Sequence, residues 1–145
     1  LQDNENTGVA RGAKINKRGK IMINPGELRI GNLLKINDLF VTVNRIEKDR
    51  FWATYKERLF FRSDECSSIP LTEDVLLKCG FRKLKLEGYD VHFKYTHPKL
   101  HSSITAIYNA DFSMKLDDVA RGIKYLHQLQ NLFFTLTNVE LELNL

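Results

Sequence analysis

The stretch from Ile69 to Phe81 constrains the fold more than any other, because it spells out where a short helix starts and stops. Pro70 disfavours helical geometry at Ile69 and blocks continuation from upstream. Thr72 is placed to accept a hydrogen bond from a first-turn amide as N-cap. Glu73 and Asp74 follow, where the positive end of the helix dipole favours carboxylates. Val75, Leu76 and Cys79 share one face at helical spacing. Gly80 suits a left-handed C′ position, from which Phe81 folds back on Leu76. Two turns do not sustain themselves in water, since nucleating a helix is costly. The stretch is therefore expected to be a packed plug that joins two β regions.

Upstream, the pattern is β. Leu33–Ile36, Leu39–Ile46, Phe51–Tyr55 and Arg58–Phe61 are short apolar runs, the later ones rich in β-branched and aromatic residues. Asn37-Asp38, Glu47–Arg50 and Lys56-Glu57 separate them at hairpin spacing. Gly31 is expected to mark a bend or bulge where the run begins. A small SH3-like antiparallel module over residues 25–68 fits this layout. Downstream, Phe81–Leu86 and Tyr89–Tyr95 alternate around Glu87-Gly88, which predicts a half-buried hairpin. Ser103–Asn109 and Phe112–Leu116 are expected to add strands, with Asp117–Gly122 a loop or helical turn.

In Tyr125–Asn138, Leu129, Leu132, Phe133 and Leu136 recur at i, i+3, i+4, i+7. That spacing predicts an amphipathic helix with Gln128, Gln130 and Asn131 on its polar side. Asn138 and Val139 are expected to end it as Gly80 and Phe81 end the first. Val139–Leu143 alternates and is expected to meet a sheet edge. The fold class is thus α+β. One domain over 25–145 comprises the β module (25–68), the linking helix (69–81) and a sheet with its C-terminal helix (82–145).

Residues 1–24 are polar and basic and carry too little apolar surface to offset the cost of ordering. Arg11, Lys14, Lys17, Arg18 and Lys20 stand against Asp3 and Glu5 there, which accounts for +3 of the formal +4. The remainder is nearly neutral and lacks a bulk electrostatic footprint for phosphate. Met22 lies just before the first patterned segment, so Leu1–Ile21 is expected to be an upstream extension, the alternative being a basic arm that touches nucleic acid. No apolar run has the length of a membrane span. Cys66 and Cys79, with no CxxC spacing, argue for a reducing, cytoplasmic setting without a membrane partner.

Three stretches, Glu27–Leu33, Ile69–Phe81 and Tyr125–Thr137, together resemble a family of small proteins from Bacteroidetes genomes and their phages or prophages. The resemblance runs from about Glu27 to the end. Asn138 stands where such proteins usually carry Gly, and both suit a left-handed cap. The resemblance implies a mobile-element origin and carries no activity, cofactor or site residue with it.

Chemistry-bearing patterns are few. His92, His97 and His101 are the best metal candidates, with Asp90 nearby, but their spacing matches no standard zinc site. Cys66 sits beside Asp64 and Glu65, which would raise a thiol pKa, and Cys79 reads as a small buried hydrophobe. His127 is expected to be an N-terminal cap or a buried hydrogen-bonding group. No phosphate loop, nucleophile elbow or HExxH motif is present. No catalytic residue and no cofactor are therefore assigned. The leading expectation is a non-enzymatic binding module with a protein partner. The alternative is a nucleic-acid-binding accessory factor using Trp52, Tyr55, Arg58, Arg62, Lys83 and Lys85, with aromatics for bases and cations for phosphates.

Overall fold

A computed structural model describes residues 21–84, 93–100, 106–108, 114–116 and 120–144. The chain divides into two compact units between Ser68 and Ile69. The architecture is α+β, with an antiparallel sheet in each unit and a C-terminal helix in the second.

The first unit is a meander of β1 (Leu33–Ile36), β2 (Leu39–Ile46), β3 (Phe51–Tyr55) and β4 (Leu59–Arg62). Side-chain alternation puts Leu34, Val41, Val43, Phe51 and Ala53 into a fully buried core. Each large member contributes roughly 1.5–3 kcal/mol by leaving water. Ile23 joins that core, and the Asn24 side chain caps a 3-10 turn at Pro25–Glu27 by accepting from the Gly26 amide at 2.9 Å. Ile23 and Asn24, assigned to the tail from the sequence, are thus part of this unit; residues 1–20 lie outside the described residues.

Gly31 makes the expected bend, at φ +99°, and its amide donates to the Val43 carbonyl at 2.8 Å. The pairing of β2 with β3 shifts register between Val43 and Arg45. That bulge lets Val43 and Ile46 both face the core across an even-numbered gap. The expected SH3-like barrel is not formed by the described strands, whose order β1-β2-β3-β4 is open. The far edge of β1 is occupied by Ser67, which exchanges two backbone hydrogen bonds with Lys35 (2.9 and 2.8 Å).

The second unit opens with α1 (Glu73–Lys78). The Thr72 hydroxyl accepts from the Val75 amide at 3.2 Å. Gly80, at φ +89°, donates to the Leu77 carbonyl, and the Phe81 amide donates to Leu76, both at 3.1 Å. Those are the two bonds of a Schellman stop. Leu76, Cys79 and Phe81 are buried, while Val75 is only half-buried. The segment before α1 pairs with the approach to the last helix. Leu71 donates to the Lys124 carbonyl and Leu126 to that of Ile69, each at 2.9 Å. The expected plug therefore belongs with the second sheet.

Among the described residues that sheet has five strands in sequence order: β5 (Arg82–Leu84), β6 (Phe93–Thr96), β7 (Ala106–Tyr108), β8 (Met114–Leu116) and β9 (Ala120–Ile123). β9 corrects the expectation of a loop or helical turn over Asp117–Gly122; its residues pair with β8 across an irregular register. The polar composition there masked a strand held by backbone pairing. The expected turn at Glu87-Gly88 and the first residues of its second strand lie outside the described residues.

α2 (Leu126–Thr137) confirms the final helix but rotates its buried stripe. Leu126, Leu129, Gln130 and Phe133 are buried, while Leu136 is exposed. The spacing i, i+3, i+4, i+7 holds, starting three residues earlier than expected. Gln130, assigned to the polar side from composition, is within the stripe. Gln128 ties the helix start, its Oε1 accepting from the amides of Lys124 (2.9 Å) and Tyr125 (3.1 Å). His127 is not the cap; its ring is buried and lies parallel to Tyr125 with centroids 5.9 Å apart.

Asn138 takes φ +57°, and its amide reaches the Phe134 carbonyl at 2.7 Å, the single bond of an αL stop. The apolar clamp expected from Val139 is absent, for its side chain is exposed and its amide is taken by Thr137 Oγ1 at 3.2 Å. The tail does not form a strand among the described residues. Instead Leu141 is buried and the Asn144 amide donates to the Lys78 carbonyl at 2.9 Å, satisfying an end carbonyl of α1.

Candidate functional site

The aromatic and basic residues of the first unit fall into an ordered row because β2, β3 and β4 are in antiparallel register. Arg45 stands opposite Trp52, and Trp52 opposite Arg62. The Arg45 and Arg50 guanidinium carbons lie 4.8 and 5.0 Å from the Trp52 ring centroid, within cation–π range. Glu47 holds both cations, accepting from Arg45 Nη2 and Arg50 Nε at 3.0 Å each. The β2–β3 turn thus fixes the two guanidinium groups against the one tryptophan of the chain.

Next to this row lies a hydrophobic edge. Leu59 is 55% and Phe60 65% exposed. Phe60 stands opposite Thr54, on the same sheet face as Trp52 and Arg62, whereas Leu59 stands opposite Tyr55 on the core side. The turn that delivers them is unusual. Lys56 and Glu57 both have positive φ, +49° and +60°, and Arg58 donates to the Tyr55 carbonyl at 3.1 Å. Such a turn favours Asn-Gly, so neither residue type suits its conformation. A cleft of about 460 Å³ lies between this turn and the Ile30-Gly31 turn, with Thr42 and Thr54 in its lining and Phe60 on its wall.

Charge is unevenly spread here. From Arg45 to Arg62 six cations stand against three carboxylates, namely Arg45, Lys48, Arg50, Lys56, Arg58 and Arg62 against Glu47, Asp49 and Glu57. Over residues 21–68 the count is eight against seven. A locally basic strip therefore sits within a nearly neutral unit. Arg62 is open to solvent and 4.0 Å from Asp64.

Of the expected nucleic-acid residues, Trp52 and Arg62 come together and Arg58 flanks them in the turn. Tyr55 packs against the core instead, with Lys56 Nζ 5.2 Å from its ring centroid; strand parity puts it on the opposite face from Trp52. Lys83 belongs to the second unit and is bound to Glu73 Oε1 at 2.8 Å. Lys85 lies outside the described residues. Arg45, Arg50 and Glu47 were missed because a polar turn was read as a spacer. Counting register back across the turn from the Phe51–Tyr55 run places Arg45 opposite Trp52, because the bulge lies beyond Arg45, towards Val43.

Of the metal and nucleophile candidates, His97, Cys66 and Cys79 are among the described residues. His92 and His101 lie outside the described residues. His97 Nε2 is 3.1 Å from the Cys79 carbonyl, so it is the protonated nitrogen, and Nδ1 accepts from the Lys99 amide at 3.1 Å. The ring stands edge-on to Phe81 and Phe133, with centroids 5.1 and 4.7 Å away. Burial holds its pKa below the ordinary histidine value, against the raising effect of the Cys79 carbonyl. His97 thus fastens the end of α1, using both nitrogens as a neutral ring.

Both thiols are buried. Burial pushes Cys79 up to about 12, which leaves essentially no thiolate at neutral pH. Cys66 Sγ is 3.5 Å from the Arg62 carbonyl. Glu73 is held below the ordinary carboxylate range by Lys83 and by the Tyr95 hydroxyl, which donates to it at 3.0 Å. Among the described residues no group of three or more His, Cys, Asp or Glu side chains converges as a metal site, and no helix is long and apolar enough to cross a membrane. Comparison of the chain with protein-family models, with curated proteins and with solved structures gave no match.

Proposed function

We propose that the chain is a non-enzymatic binding module that engages a partner protein through β4 and the adjoining Trp52 row. One observation carries the reading. Leu59 and Phe60, large apolar side chains on opposite faces of the sheet, are both exposed on an edge strand bordered by Arg58 and Arg62. Apolar anchors with a charged rim are the anatomy of a protein interface. The commitment of His97 to the backbone and the burial of both thiols support binding over catalysis. A phage or prophage origin and a cytoplasmic setting, implied by the resemblance and by cysteine usage, complete the proposal.

The test is co-purification of the full chain from its native cells. A protein retained by the wild type and by Leu77→Ser, an exposed apolar change in the second unit, but lost from the Leu59→Ser/Phe60→Ser double variant, is the expected result. Equal retention by all three places the contact elsewhere and refutes the reading.

Trp52 with two guanidinium groups over its ring favours a second reading, single-stranded nucleic acid. Trp52 emission reports it directly. Under that reading, an oligothymidylate quenches the emission, and the affinity falls steeply as salt rises.

A further inference from the structure

The two edges of the first sheet differ. β1 is closed by the chain itself, through the paired Lys35–Ser67 hydrogen bonds. β4 has β3 on one side and, among the described residues, no strand on the other. Edge strands in monomeric proteins are usually blunted by charge, proline or a bulge along their length. Here the charges sit at the ends, Arg58 before the strand and Arg62 at its last residue, while Leu59, Phe60 and Phe61 lie between them without a charge.

We propose, on the basis of the binding-module reading above, that β4 takes up an extended segment of the partner as a fifth strand of this sheet. Strand addition supplies affinity through backbone hydrogen bonds and selectivity through alternate side chains. The residues of β4 specify the segment. Apolar side chains belong opposite Leu59, Phe60 and Phe61, and carboxylates belong beside Arg58 and Arg62. The recognised pattern is an acid, three apolar β-formers and a second acid. A second copy of the chain fits less well. Symmetric pairing of two such strands, each about 13 Å long at ~3.3 Å per residue, would gather four guanidinium groups along one short ladder.

The probe is a blocked peptide, Ser-Glu-Val-Ile-Val-Glu-Ser, titrated into the ¹⁵N-labelled full chain. Three relatives accompany it: one with Lys in place of both Glu, one N-methylated at Ile, and one N-methylated at both Val. Because amides along a strand point alternately to either side, only one methylation pattern blocks the ladder. The expected result is binding that perturbs and protects β4 amides. It should weaken at least tenfold with the Lys peptide and with one methylated peptide, and be nearly unchanged with the other.

Both methylated peptides binding like the parent would overturn strand addition while leaving a side-chain contact at this surface intact. Equal binding by the Lys peptide would overturn the charge match. No perturbation of β4 at 1 mM parent peptide would overturn the proposal, whatever the co-purification shows. Self-association in light scattering that Phe60→Arg abolishes would assign the edge to a second copy and likewise overturn it.

Discussion

Replacing Gly80 by alanine tests the packing of the second unit at its tightest point. The backbone there has φ +89°, and a Cβ would sit 3.2 Å from His97 Nε2. The left-handed conformation costs a non-glycine residue about 1–2 kcal/mol. Stiffening the unfolded chain offsets roughly 0.4–1 kcal/mol of that. Displacing the imidazole, which Phe81 and Phe133 hold in place, adds the loss of its bond to Cys79, about 1 kcal/mol. The net destabilisation is about 2 kcal/mol, or a fall in Tm of roughly 10 °C for a unit of this size. Valine should cost more, having two further methyl groups to place.

Gly122 is the internal control. It also has positive φ, +68°, but open space where its Cβ would go, so Gly122→Ala should cost only about 1 kcal/mol. Urea and thermal melts followed by far-UV circular dichroism measure both. The Gly80→Ala cost should drop towards that of Gly122→Ala in a His97→Ala background. Equal costs for the two alanine variants, or no change in that background, would refute the clamp of His97 on the end of α1.

Three further outcomes follow from the same geometry. His97 is bound as a neutral ring with its proton affinity held low by burial. The unfolded chain therefore protonates first as pH drops below about 6.5, and the urea midpoint of the second unit should fall from there downward; His97→Gln, which keeps a donor and an acceptor but does not titrate, should remove that slope. Thr72→Ala should cost the second unit about 1 kcal/mol by chemical denaturation, with Thr72→Ser close to wild type. Changing Lys56-Glu57 to Asn-Gly should stabilise the first unit by about 1 kcal/mol, read as a higher urea midpoint of Trp52 emission; a lower midpoint would contradict the turn assignment.

Local signals carried the parts of the fold that local chemistry determines. Thr72, Gly80 and Phe81 specify a helix and its Schellman stop within ten residues, and those bonds are present. The first four strands were legible because each apolar run is bounded by a polar turn. What depends on distant partners was not. The rotation of α2, which buries Gln130 and exposes Leu136, is set by what the helix packs against. Ala120–Ile123 has little strand character by composition and is a strand through pairing with β8. The αL stop at Asn138 replaced the expected apolar clamp because the Thr137 hydroxyl captured the Val139 amide.

The candidate surface was half legible for the same reason. Trp52 and Arg62 stood out by residue type, but their meeting is a fact of register. Tyr55 falls on the core side because alternation carries it there, two residues past the buried Ala53. Arg45, Arg50 and Glu47 become a unit only when a turn folds them over the tryptophan.

The claim that β4 is a protein-binding edge is tested most directly by a photo-crosslinker placed at Phe60. p-Benzoylphenylalanine is installed there in the full chain, and at Leu77 as an exposed control, and irradiated in the native cells. One discrete adduct is expected from position 60, sensitive to protease, resistant to nuclease and absent from position 77. A nuclease-sensitive adduct, or the same products from both positions, would contradict it.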